Sequence, residues 1–195
     1  MGEVVLVRHG ETQWSRLGKH TGRSDIPLTT TGEEQARALR SVLGRRSFAL
    51  VLTSPLQRAV RTATLASLPA PLPEPDLCEW DYGSYDGRTT AEIGAERPGW
   101  TIWGGGTPDG ETAEEVGDRA DRVLDRVRAQ LATANASDDV ALVGHGHALR
   151  VLAARWLDLP APCGRLFRLD TATVSVLSEE HSRPVIRRWN LTPGG

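Results

Sequence analysis

The sequence predicts an α/β protein, a three-layer α/β/α sandwich around a mainly parallel central sheet. Three observations carry this reading. Short unbroken apolar runs at residues 4–7, 48–52 and 140–143 have the pattern of strands buried on both faces of a covered sheet. Longer segments between them repeat apolar residues at helical spacing. The elements follow the order strand, helix, strand, helix, irregular segment, helix, strand, helix and then short strands, as in a chain that crosses back over its own sheet.

The first strand, Val4-Val5-Leu6-Val7, stops at Arg8-His9-Gly10. Gly10 lets the chain turn sharply, which places His9 at the carboxyl end of a central strand, where open α/β sheets bind ligands. Residues 13–25 are polar and aperiodic and read as a loop. Thr31 and Glu34 form a capping box that opens a helix through Ala36, Leu39, Val42 and Leu43, with Gly44 as its stop. A second strand at residues 48–53 leads into Ser54-Pro55, an N-cap serine with proline at the first helical position. That helix carries Arg58 and Arg61 in its first two turns. The proline-rich stretch 68–75 reads as an irregular connector.

Residues 77–112 are rich in turns, glycine and tryptophan and read as a loop-rich cap within a single domain spanning residues 1–195. Thr112 and Glu115 form another capping box, which starts a long amphipathic helix with Val116, Ala120, Val123, Leu124, Val127 and Leu131 on one side. A strand at 139–144 then delivers His145-Gly146-His147, followed by a helix from 148 to 157. Shorter strands are expected at 166–169, 173–177 and 185–189, towards one edge.

The composition narrows the function. The chain has 195 residues, 39% hydrophobic and 25% charged, with a net charge of -2. That balance gives no electrostatic case for nucleic acid or an anionic membrane. No apolar stretch is long enough to span a bilayer. The amino terminus does not resemble a signal peptide. Two distant cysteines, Cys78 and Cys163, do not make a disulfide framework. A cytoplasmic, soluble protein is expected.

One internal echo points to chemistry. Val4-Val5-Leu6-Val7-Arg8-His9-Gly10 and Val140-Ala141-Leu142-Val143-Gly144-His145-Gly146 are both buried strands that end in histidine and glycine. Were these strands neighbours in a parallel sheet, two imidazoles would face each other at one edge. Arg8 and Arg58 add fixed positive charge, and a helix N-terminus also favours an anion. Two guanidiniums with two imidazoles describe a phosphate site. A histidine whose other nitrogen is held as a donor can attack phosphorus, and an acid must then protonate the leaving oxygen. On spacing alone that acid is Glu79, Asp81 or Asp86.

At these residues the chain resembles the histidine phosphatase superfamily, which includes the cofactor-dependent phosphoglycerate mutases. The motif Leu6-Val7-Arg8-His9-Gly10-Glu11-Thr12 is similar to the family signature. Asp25-Ile26-Pro27-Leu28-Thr29, Ser54-Pro55 with Arg58, Glu79 with Gly83 and Gly87, and Gly144-His145-Gly146 follow in the family's order. The resemblance implies a phosphoglycerate mutase-like fold with His9 as the phosphorylated nucleophile. It implies that Arg8, Arg58 and His145 clamp the phosphoryl group, and it selects Glu79 as the acid. Ser15 (where the family usually has asparagine), Thr21, Gly22, Gly146, Trp80 and Tyr82 would contact phosphate or substrate.

Within the family, the segments 14–23 and 79–83 most resemble a mutase-like acid phosphatase of actinobacteria and the sedoheptulose-1,7-bisphosphatase of yeasts. The chain also lacks the mutases' substrate-covering insertion. The expectation is therefore a phosphomonoesterase acting on a small phosphorylated metabolite, such as a sugar phosphate or bisphosphate, without metal or other cofactor. A phosphoglycerate mutase and a non-catalytic phosphate-binding protein are the alternatives. A homodimer is implied by the resemblance alone.

Other residues carry weaker signals. His145 and His147 have a His-x-His spacing that suits zinc, but no cysteine or carboxylate motif completes a first shell, and His147 is expected to support the site or cap its helix. Trp14, Trp80, Trp100 and Trp103 either pack a loop-rich cap or form an apolar wall for the organic part of a substrate. The sequence makes a direct prediction: His9→Ala abolishes phosphate release and leaves the circular dichroism spectrum unchanged. Undiminished turnover in that variant would remove His9 from the mechanism.

Overall fold

The structure is a computed structural model that describes residues 2–194. A six-stranded sheet runs in the order β3-β2-β4-β1-β5-β6, with β1 at Val4–Arg8, β2 at Ser47–Thr53, β3 at Leu72–Pro73, β4 at Asp138–Gly144, β5 at Val174–Glu180 and β6 at Arg183–Leu191. The first four strands in that order are mutually parallel. β5 and β6 are antiparallel to their neighbours.

Alternation along the central strands divides the core into two layers. Val4 and Leu6 of β1, with Val140 and Leu142 of β4, face the long helix α7 (Ala113–Thr133) and α8 (Gly146–Trp156). Val5, Val7, Ala141 and Val143 face the other way, onto Leu39, Leu43, Ala59 and Ala63, which come from the segment of α2 (Thr30–Ala38) and α3 (Arg40–Leu43) and from α4 (Gln57–Leu65). All four apolar residues of β1 are fully buried, which explains why its run is unbroken rather than alternating. The sandwich has the three layers the sequence predicts.

The decisive feature is the pairing of β1 with β4. Their parallel register sets Arg8 opposite Gly144, and the His9 N–H continues the ladder onto the Gly144 carbonyl at 3.0 Å. Each histidine is thus the first residue beyond the last paired one, and both emerge at the same edge.

Several local expectations are corrected. Within the expected loop at 13–25, residues Gln13–Arg16 form a short helix, α1, with Thr12 and Ser15 as a reciprocal capping box. The N-cap of α2 is Thr29 rather than Thr31. The cause is Glu11, which accepts from the Thr29 N–H and hydroxyl and so starts the helix two residues early. The expected continuous helix breaks at Leu39 into α2 and α3. α4 begins only at Gln57 with Leu56 at its N-cap position, because the Ser54 hydroxyl is engaged by His145.

The connector at 68–75 is not wholly irregular, since Leu72–Pro73 pairs with β2 as a two-residue edge strand, where a proline costs little. Residues 166–169 do not form a strand. Ala161–Leu166 is a 3-10 turn, and the Leu169 carbonyl accepts from Arg8 instead of joining a ladder. The expected cap at 77–112 contains α5 (Thr90–Glu96) and α6 (Ile102–Gly105). Among the described residues, no helix is long and apolar enough to cross a membrane.

The turn after β1 is held by two glycines in contact. A Cβ on Gly10 would lie 2.3 Å from the Gly32 carbonyl oxygen, and one on Gly32 would lie 2.0 Å from the Glu11 carbonyl oxygen. Backbone cannot yield as a flexible side chain can. Gly32→Ala is therefore expected to destabilise the protein by about 1–3 kcal/mol in urea unfolding, whereas Gly94→Ala, in open space on α5, raises stability by about 0.4–1 kcal/mol. Equal midpoints for the two variants would contradict this.

Candidate active site

His9 is 5% exposed. Its Nδ1 lies 2.7 Å from the Gly10 carbonyl oxygen. A carbonyl can only accept, so Nδ1 carries the proton and Nε2 keeps its lone pair. Thr62 of α4 fixes this turn, accepting from the Gly10 N–H at 3.1 Å and donating to the Arg58 carbonyl at 2.7 Å. Burial, followed by the Arg58 and Arg8 charges, lowers the His9 pKa well below the usual histidine value. The ring is neutral, and its free lone pair is on Nε2.

His145 lies with its ring centroid 5.1 Å from that of His9, tilted by 60°. Its Nδ1 accepts from Arg58 Nε at 3.1 Å. The proton therefore sits on Nε2, which donates to Ser54 Oγ at 2.7 Å. Burial and the adjacent Arg58 lower its pKa well below the usual value. Arg58 is fully buried. Its remaining hydrogen bonds go to the carbonyls of Ser24, Thr21 and Gly22. Arg58 and His145 thus stand directly behind His9 rather than in the cavity wall.

Arg8 is in the wall. Its Nη1 donates to the Leu169 carbonyl, while Nε is buried without a hydrogen-bond partner. Such a donor costs free energy unless an acceptor arrives. Burial draws its pKa down from the ordinary arginine value, opposed chiefly by the Glu79 carboxyl.

Glu79 sits at the N-terminus of α8. Its Oε1 accepts from the Trp80 and Ala148 N–H groups at 2.9 and 2.8 Å, and its Oε2 from His147 N–H at 3.1 Å. Segment 76–79 is itself clamped by the buried Arg119, which donates to the carbonyls of Asp76, Cys78 and Glu79 and pairs with Glu111 at 2.7 Å. Asp81 and Asp86 are spent elsewhere: Asp81 pairs with Arg23, and Asp86 accepts from Gly22 and Ser24.

These groups open onto a cavity of about 230 Å³, lined by Arg8, His9, Ser15, Lys19, His20, Thr21, Glu79, Tyr82, Gly146, His147 and Arg150. The structure therefore brings His9, Arg8, Glu79, Ser15, Thr21, Gly146 and Tyr82 to one wall. Gly22 and Trp80 stand behind it: Gly22 holds Arg58 and Asp86, and Trp80 is fully buried, donating from Nε1 to the Glu111 carbonyl at 2.8 Å.

None of the four tryptophans lines the cavity. Instead they carry its polar groups. Lys19 lies 5.5 Å over Trp14 and Arg150 lies 4.7 Å over Trp103. His20 meets Trp100 edge-on, and His147 contacts Trp80 and Trp103.

The sequence reading missed Ser54 as the His145 partner, Arg119, Lys19 and Arg150. Only the position of Arg150 one turn beyond His147 could have suggested it. His147 Nδ1 lies 2.6 Å from the Tyr82 hydroxyl, and no group of three metal-ligating side chains forms among the described residues.

A neutral, oriented imidazole beside a guanidinium whose buried Nε lacks an acceptor, at the carboxyl edge of a parallel sheet, is the equipment of a phosphoryl-transfer enzyme, and comparison with known proteins specifies which. The chain belongs to the histidine phosphatase superfamily (branch 1), whose sequence profile matches residues 4–192. It is 40% identical to an acid phosphatase of Mycobacterium tuberculosis over 91% of this chain and 87% of that one. It is 37% identical to the sedoheptulose 1,7-bisphosphatase of Saccharomyces cerevisiae over 80% and 67%. The solved structure of a Mycobacterium tuberculosis open reading frame superposes with a TM-score of 0.93 at 38% identity, covering 98% of each chain. The protein is a phosphatase.

The hydrogen bonds assign tautomers that can be measured. Imidazole nitrogen NMR shifts of His9 and His145 should keep neutral-ring values as pH falls through about 6.5, with the proton on Nδ1 in His9 and on Nε2 in His145. Because both pKa values are depressed, protonation comes only at lower pH. Imidazolium signals for His9 at pH 6.5 would contradict the assignment.

Proposed function

We propose that the enzyme hydrolyses phosphomonoesters through a phosphohistidine on His9, without a metal. The observation that carries this is the His9 Nδ1–H bond to the Gly10 carbonyl, which leaves Nε2 as the only nucleophilic nitrogen of that ring. The phosphate dianion enters beside Arg8, whose buried Nε lacks an acceptor. His9 Nε2 forms a bond to phosphorus as the bond to the alcohol oxygen breaks, and Glu79 gives its proton to that oxygen. Water then attacks phosphorus, Glu79 takes a proton from it, and the N–P bond breaks to restore neutral His9.

Arg58 and His145 belong to the same clamp. Their hydrogen bonds at rest go to neutral acceptors, with the Asp25 carboxylate 4.0 Å from Arg58 Nη1, and an anionic phosphoryl oxygen is a stronger acceptor than a carbonyl or a hydroxyl. The arginines stabilise charge on the equatorial oxygens, where phosphoryl transfer is most helped. Ser15 is already committed to the α1 capping box through both its hydrogen bonds with Thr12, so its contribution is to shape the wall. The unpaired cysteines fit a cytoplasmic setting, and the resemblance to the family alone supports a homodimer.

Rapid quenching with labelled substrate should trap an acid-labile, base-stable phosphoryl group on the wild type and none on His9→Ala. Assay with 3-phosphoglycerate, with and without 2,3-bisphosphoglycerate, separates the mutase alternative. Phosphate release should dominate in both conditions, and isomer formation far exceeding release would overturn the phosphatase reading.

A further inference from the structure

We propose that Arg119 and Glu111 are positioning residues for the bond-breaking step: they clamp the backbone on either side of Glu79 so that the transferred proton sits on its Oε2. The assignment rests on the proposed hydrolase mechanism, in which Glu79 is the acid, and specifies what aims that acid.

Arg119, on α7, is buried, and all five of its N–H donors are used. Nη1 donates to the Asp76 and Cys78 carbonyls at 2.8 and 2.7 Å, and Nη2 to the Glu79 carbonyl at 3.2 Å. Nε and Nη2 meet the two carboxylate oxygens of Glu111 at 2.7 and 3.0 Å. A guanidinium fork used in this way fixes direction as well as distance. Glu111 extends the grip past Glu79. Its Oε2 accepts from the Asp81 N–H at 2.8 Å, its own N–H donates to the Asp81 carbonyl at 2.9 Å, and its carbonyl accepts from Trp80 Nε1 at 2.8 Å. Glu79 thus has an anchored residue immediately before it and another immediately after it. Neither Arg119 nor Glu111 lines the cavity, so both act on the reaction only through what they hold.

The carboxyl group is held from the other side, and unequally. Oε1 accepts two N–H groups, from Trp80 and Ala148, whereas Oε2 accepts one, from His147. A carboxyl oxygen offers two in-plane acceptor positions. Both are filled on Oε1, so the proton of the acid form sits on Oε2. One of the donors that fill Oε1 is the Trp80 N–H, which belongs to the clamped segment. The pair of Arg155 with Asp121, at 2.9 Å through both nitrogens, ties α8 to α7 and keeps the two supports of Glu79 in a fixed relation.

The consequence is a defined proton path. As the His9 Nε2 lone pair bonds to phosphorus, the ester P–O electron pair stays with the leaving oxygen, which takes the proton from Glu79 Oε2 and leaves a carboxylate. In the second step water bonds to phosphorus, the N–P electron pair returns to His9, and Oε2 recovers a proton from that water. Loosening the clamp lets the Trp80 amide turn away, opens a second position on Oε1 and divides the proton between the two oxygens.

The experiment compares phenyl phosphate with p-nitrophenyl phosphate. The two are similar in shape, but nitrophenolate departs readily without a proton and phenolate does not. Their ratio of kcat/KM, which reports the step that breaks the ester, therefore measures help from the acid. Glu111→Gln puts an NH2 group where Arg119 or the Asp81 N–H also donates, and Arg119→Lys lacks the fork that reaches both Glu111 and the three carbonyls. Each should lose about tenfold or more in kcat/KM for phenyl phosphate relative to p-nitrophenyl phosphate, with KM nearly unchanged, and Glu79→Gln should show the same selectivity. A merely structural defect lowers both esters equally. Arg119 is buried, so Glu111→Gln keeps the test valid should Arg119→Lys fold poorly. A ratio unchanged in Glu111→Gln but shifted in Glu79→Gln would overturn the clamp. A ratio unchanged in Glu79→Gln, or no phosphate release from either ester, would instead overturn the proposed mechanism. Hydrogen exchange at the His147 and Ala148 amides would then decide the clamp by itself. Faster exchange at these two amides in Glu111→Gln than in wild type, with α7 unchanged, supports it, and equal or uniformly faster exchange overturns it.

Discussion

The parallel pairing of β1 with β4 is the constraint on which the site depends. A parallel ladder gives its strands a common direction and a fixed stagger. With Arg8 opposite Gly144, two histidines more than a hundred residues apart in sequence arrive side by side. A slip of one residue would turn every side chain of β1 to the other face, and full burial of Val4, Val5, Leu6 and Val7 makes that slip costly for packing on both sides. The apolar core thereby positions a polar site at its edge.

A second level of order comes from hydrogen bonds that leave each ring a single protonation pattern. Gly10 sets His9, Arg58 and Ser54 set His145, and the Tyr82 hydroxyl engages His147 Nδ1. Burial keeps all three rings neutral, and the arginine charges reinforce it. The cations that prepare the site for an anion also keep the His9 ring neutral, because a positive neighbour disfavours a second positive charge on it.

Much of this was legible in the sequence, for identifiable reasons. Unbroken apolar runs marked the buried strands, and the repeated strand-histidine-glycine motif marked the shared edge. Thr112 with Glu115 located the start of α7 because that cap depends only on its own residues. Caps that depend on distant partners were misplaced: Thr29 answers to Glu11, and Ser54 answers to His145. The edge strand at Leu72–Pro73 was hidden by its prolines, and Leu169 was read as part of a strand although its carbonyl serves Arg8. The tryptophans were seen as a group, but their partners were not. Arg150 meets Trp103 from a distant segment and Lys19 meets Trp14 across the turn that closes α1, and periodicity carries no trace of either.

The first turn of α8 holds a further consequence. Its amides grip Glu79, while its own side chains include His147, and Arg150 follows on the same helix. His9 and its tautomer belong to a different element, the end of β1. The ring that faces the substrate and the side chains of the outer cavity are therefore carried by different elements. The side chains at positions 19, 147 and 150 line the cavity without taking part in the hydrogen bond that aims His9. A fold built this way can vary its cavity lining while the geometry of its central histidine stays the same.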